Sequence, residues 1–377
     1  MRRSFAALLA LALCLPAAAA PWRRNRTEYF PYRRITLENP FLTVVFAPGQ
    51  LGRIASVKLR KSGTELLDEF KLCRYTETPL FHLDKGNFQG IRELLWRRSL
   101  SGVSPMEPVS GKEGEILFET RTYGGSTLGL RRRARLLPDA PVLEFETVLT
   151  NNGGADENIS LWYNLQGAPP ARPLIPAAGQ GKVPGRGEVE LHDRAFLFTG
   201  APGNSHLPPA APWAAFSLSG RRILWAVECP EISGGGFFYS WGSPAGTLPV
   251  RRTAEFVLAP VTLAPGAASP VVRCRVMVFP GLEGINALCA GNAFEIAKRS
   301  SGEHALTLCT SVSRPAEKLL CELRSREGKI LYRREFDLPP RRAGECRTLD
   351  TVKLAAPPVS GTLRLGGNET GIFFEKE

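Results

Sequence analysis

Histidine is scarce in this chain: four residues in 377, at His82, His192, His206 and His304. No CxxC pair and no His/Cys cluster accompanies them, so no zinc-like ligand spacing is present and no metal or other cofactor is expected. Apolar residues at helical spacing are also rare, and there is no internal repeat and no coiled-coil pattern. Together with 37 Gly and 31 Pro, this excludes a helical bundle and points to an all-β chain full of turns. Beyond the first twenty residues no run is long and apolar enough to cross a bilayer, which takes about 20 residues.

The first twenty residues have the layout of an export signal. Arg2 and Arg3 precede an apolar run from Phe5 to Leu15, and small residues follow from Ala17 to Ala20. Its removal implies a periplasmic or extracellular protein without a transmembrane segment. The formal net charge of +12 is carried in part by that signal and by the basic lead-in at Arg23, Arg24, Arg26, Arg33 and Arg34. The remaining surplus suits an anionic glycan or envelope surface. No nucleic-acid-binding motif accompanies it, so nucleic acid is not an expected partner. Seven cysteines remain after the signal, an odd number that cannot pair completely within one chain. They sit in apolar strand patterns and read as core thiols, with a Cys309–Cys321 bridge across a hairpin as the open alternative.

About 355 mature residues exceed one ordinary core and suggest two domains. Residues 21–35 are the lead-in, and residues 36–283 read as strand after strand. Ile285–Arg299 carries apolar residues at helical spacing (Leu288, Phe294, Ile296, Ala297) and is expected to be a short linking helix over residues 284–300. Residues 301–377 form a second β pattern whose LRSREGKILYRREF hairpin, turning at Glu327-Gly328, looks like an Ig-like or fibronectin-like module. Pro169–Gly187, rich in Pro, Gly and Ala, reads as a loop of either binding or spacer type.

Residues 141–167 are the most informative stretch. Pro141–Asn151 alternates at period two and meets an Asn-Asn-Gly-Gly turn. The chain returns through Ile159-Ser160-Leu161-Trp162-Tyr163 to Asn164-Leu165-Gln166-Gly167, which reads as an antiparallel hairpin. This ending resembles the HxYFNLxG segment of the galactose mutarotase-like superfamily. The opening, from Leu42 through Pro48 and Gly52 to Ile54, resembles that family's first hairpin, with one Gly of a Gly-Gly pair kept. The resemblance covers roughly residues 36–280 and implies a large antiparallel two-sheet β-sandwich, followed here by the small module. It also implies a saccharide site on the concave sheet. The family's catalytic His position is Ser160 in this chain, so a standard galactose mutarotase is not expected.

Several residues could serve such a site. On a strand, Trp162 and Asn164 share one face and Tyr163 takes the other. Trp162 and Trp241 could stack on pyranose rings, with Asn164 and Arg53 reaching hydroxyls, although large sandwiches also bury aromatics in their cores. Trp225, Phe237 and Tyr239 join the same list of aromatics. His82, with Asp84 two residues on, could act as an oriented imidazole or be a surface pair. Glu228, with Glu231 nearby, could supply a carboxylate for glycosidic chemistry or be a solvated strand end. The sequence therefore leads to an exported carbohydrate-binding protein, with turnover left open. The alternatives are a carbohydrate-active enzyme (epimerase, glycoside hydrolase or polysaccharide lyase) and a structural envelope module.

Overall fold

Period-two alternation becomes two large antiparallel sheets in a computed structural model. It describes residues 34–67, 90–96, 106, 108–179, 194–218, 220–244, 246, 251–299 and 302–375. The eight-stranded sheet runs in the order Ile35–Glu38, Leu42–Ala47, Arg53–Leu59, Ile91–Leu95, Leu161–Leu165, Glu255–Val257, Phe237–Gly242 and Gly203–Leu207. The nine-stranded sheet runs Phe196–Phe198, Arg172–Ala177, Trp213–Leu218, Ile223–Glu228, Val272–Pro280, Val142–Asn151, Leu128–Leu136, Glu115–Thr120 and Pro108–Ser110. Their facing side chains make one core. Leu161, Tyr163 and Leu165 from one sheet meet Leu143, Phe145 and Leu149 from the other, and the Tyr163 and Phe145 rings lie 5.6 Å apart.

Strand periodicity assigns most outward residues. In Leu128–Leu136, Arg131, Arg133 and Arg135 are exposed while Leu130, Ala134 and Leu136 are buried. The outward arginines pair across strands, Arg133 with Glu115 at 2.7 Å and Arg135 with Glu144 at 2.5 Å. Arg132 points inward and pairs with Glu93 of the opposing sheet, both 1% exposed. Thr147 Oγ1 donates to Glu93 at 2.9 Å. The other end of the Arg132 guanidinium donates to the Gly52 carbonyl. Gly52 has φ +62°, and a β-carbon there would come within 3.3–3.4 Å of the Phe118 and Arg132 side chains, which explains why this one glycine of the opening turn is present. Leu51 before it also takes φ +60°.

A smaller sandwich follows. One of its sheets runs Ala287–Cys289, Asn292–Lys298, Glu303–Thr310, Cys346–Lys353, and the other Ile330–Leu338, Glu317–Arg324, Ser360–Leu365, Asn368–Phe373. Phe294, Ile296, Leu306, Leu319, Cys321 and Leu363 are among the residues of its core. A separate apolar cluster joins it to the outer face of the nine-stranded sheet: Trp213, Leu224, Met277 and Phe279 on one side, Ile285, Leu288, Ala293 and Phe373 on the other.

Four expectations are corrected. Ile285–Arg299 is not a helix but a β-hairpin, Ala287–Cys289 with Asn292–Lys298. Ala290 (φ +48°) and Gly291 (φ +78°) form its two-residue turn, as a primed hairpin turn requires. Its apolar residues looked helical because both faces are buried, one in each neighbouring core. The 141–167 stretch is not a hairpin. Val142–Asn151 pairs within the nine-stranded sheet and Leu161–Leu165 within the eight-stranded one, and the Asn151 amide, bonded to the Ala155 and Leu263 carbonyls, anchors the crossing between them. Part of the expected 169–187 loop, Arg172–Ala177, is a strand, whose Pro173 and Pro176 obscured its apolar Leu174 and Ile175. Finally, Cys309 bonds Cys346, its cross-strand neighbour at a Cα separation of 4.0 Å, rather than Cys321, which is a core thiol.

Among the described residues no helix is long and apolar enough to cross a membrane.

Candidate functional site

The outer face of the eight-stranded sheet carries a lateral row of polar side chains. Registers place His206 beside Tyr239, Tyr239 beside Glu255, and Asn164 beside Arg92. Tyr163 pairs with Phe256, so the residues one step along, Asn164 and Glu255, are abreast. Arg53 extends the row on the strand beyond Arg92. Period two puts these residues on one face because their neighbours Tyr163, Phe238 and Phe256 fill the core on the other.

Glu255 is the centre of the row. Its carboxyl is 1% exposed, and Trp162 Nε1 donates to its Oε2 at 2.5 Å. Burial pushes its pKa from 4.5 up to about 7, against hydrogen bonds from Thr253, Asn164 and Trp162 and the charge of Arg92. Tyr239 is raised to about 12, first by burial and then by the neighbouring Glu255. Burial lowers the pKa of both Arg92 and Arg53; for Arg53 the second cause is repulsion from Arg92. A carboxyl poised near neutrality beside a guanidinium, an amide and a phenol can accept or donate a proton as well as hydrogen-bond hydroxyls.

Aromatic rings flank this row. Trp162, Phe237 and Tyr239 are partly exposed, and Trp96, at the end of Ile91–Leu95, stands edge-on among them. Its ring centroid lies 5.1 Å from Trp162, 5.4 Å from Phe237, 5.2 Å from Tyr239 and 5.8 Å from His206. On the other side of the row, Trp241 pairs with Asn204, and the Tyr239 hydroxyl donates to Asn204 at 2.7 Å.

The four binding residues expected from sequence, Trp162, Asn164, Arg53 and Trp241, therefore lie on one face. Glu228 does not join them. It ends a strand of the other sheet, where Arg275 stands 3.9 Å from its carboxylate and burial raises its pKa. Tyr163 and Trp225 belong to the core, Trp225 stacked on Phe216 at 4.5 Å. His82 and Asp84 lie outside the described residues. His206 is on the strand Gly203–Leu207 and within the row. Glu255, Arg92 and Trp96 were not singled out from sequence. A signal for Glu255 was present: one carboxylate inside the apolar run Ala254-Glu255-Phe256-Val257, where a charge is expensive unless partnered. Among the described residues no cluster of His, Cys, Asp and Glu is arranged to hold a metal.

The two large sheets form an all-β sandwich that presents this carboxyl-centred face. No protein-family model matches the chain, and no curated protein matches it in sequence. Among solved structures it is similar to a galactose mutarotase-like protein from Clostridium acetobutylicum (10% identity, TM-score 0.49, 69% of this chain and 99% of that one). It is also similar to a galactose mutarotase-like protein from Lactobacillus casei (13%, 0.44, 65% and 99%). A third is the Slr1438 protein from Synechocystis sp. PCC 6803 (14%, 0.48, 68% and 99%). Likeness at this level assigns neither a residue role nor a reaction.

Proposed function

We propose that this chain is an exported saccharide-binding protein that holds its ligand on the outer face of the eight-stranded sheet. The observation that carries this reading is the row His206–Tyr239–Glu255–Asn164–Arg92 between partly exposed aromatic rings. Flat rings suit the CH faces of pyranoses, and a row of alternating acceptors and donors suits their hydroxyls. The basic surplus of the whole chain favours a saccharide bearing carboxylate, sulfate or phosphate. A glycan array that includes anionic polysaccharides tests this. Wild type is expected to bind a defined glycan set that the Asn164→Ala variant loses, and an empty array across neutral and anionic glycans would count against the reading.

A second reading, a carbohydrate-active enzyme, is favoured by the place of Glu255, a buried carboxyl bonded to Trp162 and beside Asn164, Arg92 and Tyr239, whose pKa burial pushes up toward the range where a general acid or base works at neutral pH. Turnover of the bound glycan by wild type and its loss in Glu255→Gln, with binding retained, would establish this reading over simple binding.

A further inference from the structure

Two cysteine pairs in this protein share one geometry, and only one of them is bonded. Cys309 and Cys346 face each other across antiparallel strands and form a disulfide. In the large sandwich, Glu228 pairs with Arg275, so the next residues along, Cys229 and Cys274, also stand opposite each other. Both are buried in the same core, and their thiols are within hydrogen-bond reach of each other. Tyr163 packs beside them, so the pair lies directly behind the strand that presents Trp162 and Asn164.

We infer that Cys229 and Cys274 are a second disulfide of the mature protein. Adjacent strands in fixed register already hold the sulfurs together, so closure requires no backbone rearrangement of the kind that forbids badly placed pairs. In an oxidising compartment such a pair is expected to close. The oxidant is a disulfide, either small-molecule or carried by an oxidoreductase. The Cys229 thiolate attacks one of its sulfurs, giving a mixed disulfide and releasing one thiol. The Cys274 thiolate then attacks the Cys229 sulfur and releases the second thiol. Two protein thiols become one disulfide, and the oxidant gains two electrons and two protons. Burial raises the Cys274 pKa and suppresses the thiolate, so the bond forms while the strands are still open, during folding.

The test is refolding of the reduced full chain in a mixture of oxidised and reduced glutathione. The product is unfolded with N-ethylmaleimide present and digested without reductant. The expected products are one peptide pair joined through Cys229 and Cys274 and another through Cys309 and Cys346, with Cys73, Cys289 and Cys321 alkylated. Maleimide on both Cys229 and Cys274, or either residue joined elsewhere, overturns the inference. A Cys229→Ala/Cys274→Ala variant separates a bond from packing. Its urea midpoint is expected to fall well below wild type under oxidising conditions and to match reduced wild type closely with reductant present. An equal deficit under both conditions means that the residues act only as core thiols, and the inference fails.

Discussion

Trp162 donates its indole N–H to Glu255 across neighbouring strands at 2.5 Å. This one bond ties an aromatic platform to the most perturbed carboxyl of the site, and it fixes the ring by its edge while leaving its faces to other partners.

Glu255 gives the protein a characteristic pH dependence. Its folded pKa, about 7, lies above the ordinary 4.5. The folded state therefore holds a proton that the unfolded chain has released between those values, and stability falls as pH rises through that window. The contribution is complete below pH 4.5 and is lost above 7, a swing of about 3 kcal/mol. Glu255→Gln should flatten this part of the profile, as measured by urea unfolding at pH 5 and pH 8. A variant with the same slope as wild type would mean that another group sets it.

Trp162→Ala is expected to weaken glycan binding by about 1–3 kcal/mol, measured by titration calorimetry on an array hit. Because Trp162 is only partly buried and faces away from the core, near-UV and far-UV circular dichroism should show a folded protein. An unfolded variant would assign the ring to packing instead.

The Glu93–Arg132 pair crosses the core between the two large sheets. Glu93→Ala leaves the Arg132 guanidinium buried without its carboxylate, and a loss of about 3–5 kcal/mol is expected. Thermal unfolding of Glu93→Ala alongside an Arg133→Ala surface control checks this. The surface change should stay within about 1 kcal/mol.

Ending the chain at residue 283 should not release a well-behaved large sandwich. It would uncover Trp213, Leu224, Met277 and Phe279, all buried against the small sandwich, and each such side chain contributes about 1.5–3 kcal/mol when covered. The fragment is expected to aggregate or to bind a hydrophobic dye that the full chain ignores. A soluble, dye-negative fragment would show that the contact between the sandwiches is dispensable.

The sequence resemblance aligns Ser160 with the mutarotase catalytic His, and on that alignment galactose mutarotase activity is expected to be absent, because a serine cannot shuttle a proton near neutral pH as an imidazole does. Losing such a group typically lowers the rate by about 10²–10⁴-fold. Polarimetry on freshly dissolved α-galactose checks it. Rapid equilibration would mean that another residue, such as His206, has taken over the role.

Strand after strand was legible in the sequence because period-two burial is written locally. Leu128–Leu136, Trp213–Leu218 and Ile223–Glu228 alternate or run apolar between clear turns, and the sharing of one face by Trp162 and Asn164 follows from the same period. Partnership was not legible. Whether Leu161–Leu165 pairs with Val142–Asn151 or with Ile91–Leu95 depends on contacts far apart in sequence, and alternation is the same in either case. The hairpin at residues 287–298 was misread for a related reason: burial on both faces erases the period that separates strand from helix. The row through Glu255 is a product of lateral register across five strands drawn from residues 92 to 255. No local pattern contains it, because hydrogen-bonded ladders, not sequence neighbours, bring those side chains together.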